Sequence, residues 1–387
     1  MFVPKWMRRA ALLAGLVSAL AAVRVVLAQH EPAADNTRLF TYEPVDGKGG
    51  QEVSGPYRVV LNWPQALRDG WTTIGVAIYV ESPDRIYVAG RGEARDQYER
   101  LWGPVTVRAL GREVPKDQRR YEHIVCVYDR NGKLVESWEQ WNSTITGVQR
   151  IQVSPYDPER HIWIATGGPI LEFTHDGKTL VRTIGAKDVP QEDPPHPRFV
   201  VEELAWMPNG DMYAAGGYQV MKFSKEGKYL SAFGKPGRGA GEFGTVGNAL
   251  NGGGIHGVAV DPARHRIYIS DRVNSRIQVF DENGKYLDQW PHIVAPYCIR
   301  LTKDGRYLWI SDGYVMKFGK YDALTGKLVP SSTWGTFGAA PGALWGIHDF
   351  TTDSEGNLYT AEDYGGRAQK FVPRKDGNPA QLIGQLQ

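Results

Sequence analysis

Two histidines, His256 in "IHGVAVDP" and His348 in "IHDFTTDS", each open a short apolar run. Imidazoles in equivalent positions of a repeat can converge and give a zinc ion two nitrogen ligands. The bland alternative is a pair of polar side chains satisfied by hydrogen bonds. Second apolar runs end near other reactive types: Arg91 in "AGRG", Tyr218 in "AGGYQVMKF" and Arg272 in "SDRVNSRI". Tyr218 has a near copy, Tyr314 in "SDGYVMKF", so a structural tyrosine inherited from a repeat competes with a reactive one. For Arg272 the competitor is an ion pair with an acid of the next unit.

These residues sit in units that recur along the chain, at 73–138, 147–184, 200–233, 254–290, 295–329 and 346–384. Each unit carries four short apolar runs. Turn signals such as "HDGK", "SKEGK" and "DENGK" separate them, and their glycines supply the positive φ a tight hairpin needs. Four antiparallel strands per unit, repeated six times, predict an all-β chain folded as a six-bladed β-propeller. "YRVVLNW" (57–63) is an extra strand placed where it could join the last blade. The first unit holds an insertion at 92–120 between its second and third strands, read as a lid over the strand ends or as a solvated flap.

Residues 1–28 read as a secretory leader, with a basic start, an apolar run interrupted by Arg24 and a cut after "VLA". A membrane anchor is the alternative, but the apolar run is short for a span. Residues 29–56 are expected to be poorly ordered, and 57–387 to form the propeller. The whole chain has 45 Lys+Arg against 43 Asp+Glu; losing Lys5, Arg8, Arg9 and Arg24 leaves a net charge of −2. Such a surface excludes nucleic acid as a natural partner. The expected protein is secreted or periplasmic, monomeric and without a stable membrane span. Cys126 and Cys298 have no metal-ligand spacing, lie in non-adjacent blades and are expected to remain unpaired.

In such a blade the first strand lies innermost. Its start and the end of the antiparallel second strand share one face. Aligning the units on these strands gives an inner ring of Ile74, Arg150, Glu202, His256, Tyr297 and His348. Arg150, His256 and His348 then fall on alternate blades. Glu202, Tyr297 and Arg150 are candidates to touch substrate, or to bond with one another across the channel.

"FGKPGRGAGEF" followed by "IHGVAVDPARHRIYISDRVNSRIQVFDENGKYLDQW" resembles NHL repeats, and the resemblance extends over essentially 57–387. The ring is similar to that of the peptidyl-α-hydroxyglycine α-amidating lyases (peptidylamidoglycolate lyases). That resemblance implies a zinc ion on three histidines from alternate blades, a calcium ion deeper in the channel, a tyrosine base and two arginines. His256 and His348 match two zinc ligands, and Asp349 matches the calcium carboxylate. Tyr218 matches the base, and Arg272 and Arg91 match the arginines. The third zinc position is assigned to Arg150, whose protonated guanidinium has no lone pair to give a metal. The family's disulfide cysteines have no counterpart. The implied reaction breaks a carbinolamide C–N bond.

Three function classes follow: a metal-dependent lyase, a non-catalytic propeller binding a peptide, glycan or small anion at the channel mouth, and a calcium-dependent lactonase-like hydrolase. The last lacks the Glu/Asn/Asp channel set it would need.

Overall fold

A computed structural model of the chain describes residues 53–67, 71–94, 119–190, 199–244 and 254–387. The expected leader at 1–28, most of the segment at 29–56 and the centre of the 92–120 insertion lie outside these residues. Among the described residues, no helix is long and apolar enough to cross a membrane.

The chain forms six blades, each led by its innermost strand. In blade 1 the strands are Thr72–Ser82, Arg85–Ala94, Val125–Tyr128 and Leu134–Ser137; in blade 2, Arg150–Val153, Ile162–Ala165, Ile170–Phe173 and Leu180–Ile184. Blade 3 runs from Glu203–Trp206 to Tyr229–Phe233, and blade 4 from Ile255–Asp261 to Tyr286–Pro291. Blade 5 has three full strands, from Pro296–Leu301 to Lys317–Asp322. Its fourth is reduced to bridges of Phe318 with Trp334 and Tyr321 with Leu328.

Blade 6 is completed from the other end of the chain. Ile347–Thr352, Leu358–Glu362 and Arg367–Pro373 are joined by Tyr57–Val59, which pairs Tyr57 with Pro373 and Val59 with Phe371. The strand at 57–63 therefore does close the ring, through its first three residues. Tyr57 is fully buried, and its hydroxyl accepts the Ile383 N–H at 2.9 Å.

The core is divided among the blade interfaces. Six hydrophobic clusters each draw on two neighbouring blades, including Tyr87 and Trp138 against Ile164 and Phe173, and Val88 and Tyr128 against Tyr359 and Ala361. Radial packing of this kind holds every inner strand at a fixed distance from the axis. Hairpin glycines serve the same interfaces. Gly177, in "HDGK", has φ 67°, and a Cβ there would meet the Trp138 ring of blade 1 at 2.3 Å. Only glycine satisfies both the left-handed backbone and that contact.

The start of the insertion stays in the sheet. Glu93 and Ala94 pair with Arg120 and Arg119, so the excursion leaves and returns along the second strand of blade 1. Cys126, in the third strand of blade 1, and Cys298, in the first strand of blade 5, are both free and buried.

Candidate functional site at the channel mouth

Strand register decides which residues reach the axis. In blade 4, Ile255 pairs with Asp271 and Gly257 with Ser270, leaving His256 in the irregularity between them. Blade 6 repeats this with His348 between Ile347 and Asp349, and blade 1 with Val76 between Gly75 and Ala77. A bulge bends the strand and re-aims a side chain, and here it occurs at one level of the channel. In blade 2, Arg150 pairs with Ala165, the partner that corresponds to Ser270, so the residue level with His256 is Gln149. Glu203 pairs with Ala215 in the same way, which puts Glu202 in the ring.

The inner ring is therefore Val76, Gln149, Glu202, His256, Tyr297 and His348. Two sequence assignments are corrected: Val76 takes the place expected for Ile74, and Gln149 that expected for Arg150. The shift is one residue for Gln149 and two for Val76, where irregularities fall on both sides of Gly75, because a bulge or its absence moves the frame without altering the apolar pattern.

Gln149 is half-buried and the other ring residues are buried, with the aromatic ones in mutual contact. The imidazoles of His256 and His348 stand edge to face with centroids 4.7 Å apart, and His256 lies 4.5 Å from the Tyr297 ring. Nδ1 of His256 faces the Tyr297 carbonyl at 3.2 Å, and Nδ1 of His348 faces the Val76 carbonyl at 3.0 Å. Each imidazole thus leans on the next blade's ring residue. A carbonyl beside Nδ1 favours a proton there and leaves Nε2 as the lone-pair nitrogen. Single potential ligand atoms of Glu202, His256 and His348 lie within 4.8 Å of one another.

Above this level, residues at the second-strand ends gather at the same face. The Arg272 guanidinium stacks over the Tyr297 ring at 4.6 Å, and Arg91 Nη1 pairs with Asp363 at 2.5 Å. Tyr297 and Tyr364 share a hydroxyl–hydroxyl bond of 2.6 Å. Tyr218 follows Gly217, which bridges to Ile255, and it packs on the cluster between blades 3 and 4. Tyr218, Tyr314 and Tyr364 all stand in the loops after second strands, so the tyrosine motif is a feature of three blades.

Below the ring lies a charged layer in which Glu203 and Arg300, not singled out in the sequence, join Arg150 and Asp349. Arg150 is fully buried; its Nε donates to Glu203 at 2.7 Å and its Nη1 to the Gln149 carbonyl at 2.8 Å. Arg300 donates to the same Glu203 oxygen at 3.1 Å and to Asp349 at 2.6 Å. Asp349 also accepts the Ile78 and Phe350 N–H groups at 3.0 and 2.9 Å. Arg150, Glu203 and Asp349 occupy one position of the repeat, immediately after the ring residue, and a comparison of units at that position would have added Glu203.

Electrostatics at the ring follow from burial and three guanidinium groups. Burial first, then Arg272, hold His256 well below the usual imidazole range; burial and Arg150 do the same to His348. Both are neutral at pH 7, the state in which imidazole binds a cation. Burial raises the Glu202 carboxyl, while Arg272, Arg150 and Arg91 oppose the rise. Tyr297 is pushed well above the usual phenol range by burial; Tyr364 is raised less, and its bond with Tyr297 draws it down.

The NHL repeat family profile matches residues 253–280, the unit that carries His256 and Arg272. NHL repeat-containing protein 3 of Homo sapiens is 32% identical over 124 residues, covering 30% of this chain and 35% of that protein. Its Mus musculus counterpart is 30% identical over 131 residues, covering 32% and 37%. The chain thus spans about a third of the length of the curated relatives it matches. A crystal structure of a Bacteroides caccae protein of unknown function aligns with a TM-score of 0.44 and 11% identity, over 61% of this chain and 77% of that one. Sequence similarity and blade topology together establish a six-bladed β-propeller containing an NHL repeat.

Proposed function

We propose that the channel mouth is a divalent-metal site and that the protein is an exported carbon–nitrogen lyase acting on a carbinolamide, as the resemblance to the amidating lyases implies. The supporting observation is the convergence of Glu202, His256 and His348, with both imidazole Nδ1 atoms facing backbone carbonyls. One carboxylate and two neutral imidazoles form a donor set suited to zinc, with Glu202 contributing the third ligand. When bound, zinc would supply Lewis-acid polarisation of the carbinol oxygen.

In this reading Arg272 and Arg91 hold the substrate carboxylate, since a guanidinium binds it in a bidentate fork. A phenolate oxygen takes the carbinol proton, and Tyr218 and Tyr364 are the two candidates. The C–N electron pair then passes to the amide nitrogen, which takes up a proton, and a C=O bond forms on the glyoxylate product. Calcium is left out: the Asp349 carboxylate already meets Arg300 and two backbone N–H groups, and a second cation there would face a guanidinium.

One contact favours a second reading, a metal-free site that binds a small anion. Nη1 of Arg150 lies 2.7 Å from Nδ1 of His348, so a fixed positive charge already abuts one proposed ligand. Elemental analysis of the purified full chain after zinc loading, paired with glyoxylate release from an α-hydroxyglycine peptide, separates the two. Near-stoichiometric zinc and product support the lyase. Folded protein with neither overturns it in favour of anion binding.

A further inference from the structure

The end of the propeller opposite the channel mouth carries a cavity of about 470 Å³ between blades 2 and 3. That volume falls within the range of about 300–1,000 Å³ typical of small-molecule sites. Trp163 of blade 2 and Trp206 of blade 3 both line it, with ring centroids 6.1 Å apart and planes tilted by 58°. Tyr156, 38% exposed, adds a third aromatic ring to the lining. Packing between blades accounts for the tryptophans, which belong to the interface cluster. It does not account for the space beside them.

The polar lining is equally specific. Glu172, only 4% exposed, pairs through Oε2 with Arg182 Nε at 3.1 Å. His161 Nδ1 lies 2.8 Å from Asp157 and 3.7 Å from Glu172. Burial raises the Glu172 carboxyl, with Arg182 and then His161 opposing it. The carboxylates of Asp157, Glu172 and Glu226 in the lining can accept hydrogen bonds from ligand hydroxyls. The acids Asp157, Glu172 and Glu226 are nearly balanced by Arg182, Lys225 and the titratable His161, so the lining favours neither a strongly cationic nor a strongly anionic guest.

A neutral ligand with many hydroxyls and an apolar face meets all three requirements. A pyranose ring lays its C–H face on an aromatic ring, whose π-face is negative, and turns its hydroxyls to carboxylate and guanidinium. We propose that this cavity is a carbohydrate-binding site for a mono- or disaccharide, separate from the channel mouth and independent of the metal reading.

The test is a printed glycan array probed with the full chain, followed by calorimetric titration of the strongest free sugar. Glu172→Gln removes the charged acceptor, and Tyr156→Ala removes an exposed ring; thermal melts verify that both variants are folded. The expected result is sugar binding by the wild type, weakened about tenfold or more in each variant, as befits the loss of one charged hydrogen bond or one ring face. Absence of any bound glycan, or equal affinity in the wild type and both variants, overturns the proposal.

Discussion

Nη1 of Arg150 lies 2.7 Å from Nδ1 of His348, and the same ring nitrogen lies 3.0 Å from the carbonyl of Val76. A guanidinium N–H can only donate and a carbonyl can only accept, so one Nδ1 cannot satisfy both. With the proton on Nδ1, His348 bonds to Val76 and offers Nε2 to a metal. With the lone pair on Nδ1, it accepts from Arg150 and Nε2 carries the proton. In the proposed metal site, the tautomer of this imidazole therefore decides whether its Nε2 is free to bind a cation.

Gln149 stands level with His256 and His348 on the third alternate blade. Gln149→His is expected to raise zinc retention after dialysis against a weak chelator, because three imidazoles with Glu202 complete a four-ligand site. Elemental analysis checks this. Unchanged zinc content in a folded variant would remove Gln149 from the ligand level.

Arg150→Leu is expected to destabilise the fold by about 3–5 kcal/mol, the usual cost of breaking a buried ion pair from one side. Arg300 remains on Glu203 and holds the loss towards the lower end. Urea denaturation gives the figure, and a loss under about 1 kcal/mol, the worth of an exposed pair, would mean that Arg150 is not the buried partner described.

Gly177→Ala places a methyl group against Trp138 in a backbone with positive φ. A loss of about 1–3 kcal/mol is expected from the strained conformation alone. The Tm of this variant should fall, while a Gly185→Ala control, where a Cβ meets nothing within 4 Å, should melt near the wild type.

Burial pushes the Cys126 thiol up to about 12 from its ordinary value of 9.0. The folded state keeps this proton while the unfolded state loses it, so the contribution is fully present below pH 9 and declines as pH rises towards 12. Native protein should resist iodoacetamide at pH 8.5, and Cys126→Ala should flatten the alkaline fall in stability. Rapid alkylation of Cys126 in folded protein would contradict the burial that causes the shift.

The repeat was legible in the sequence because its causes are local. Turn glycines, apolar alternation and unit length together dictate six four-stranded blades, and "YRVVLNW" supplies the strand that closes the last. His256, His348 and Arg272 were singled out for the same reason, since each occupies a recurrent place in its unit, whereas Arg91 came from the family resemblance. Tertiary structure alone decided the level at which each side chain meets the axis. The presence or absence of a one-residue bulge exchanges ring for sub-ring position, as with Gln149 for Arg150, and two successive irregularities move the blade 1 position from Ile74 to Val76. Only closure of the ring brought Arg150, Glu203, Arg300 and Asp349 into one buried network. These residues come from four blades and are up to about two hundred positions apart, and the charges compensate one another only across a channel that no local stretch of sequence contains.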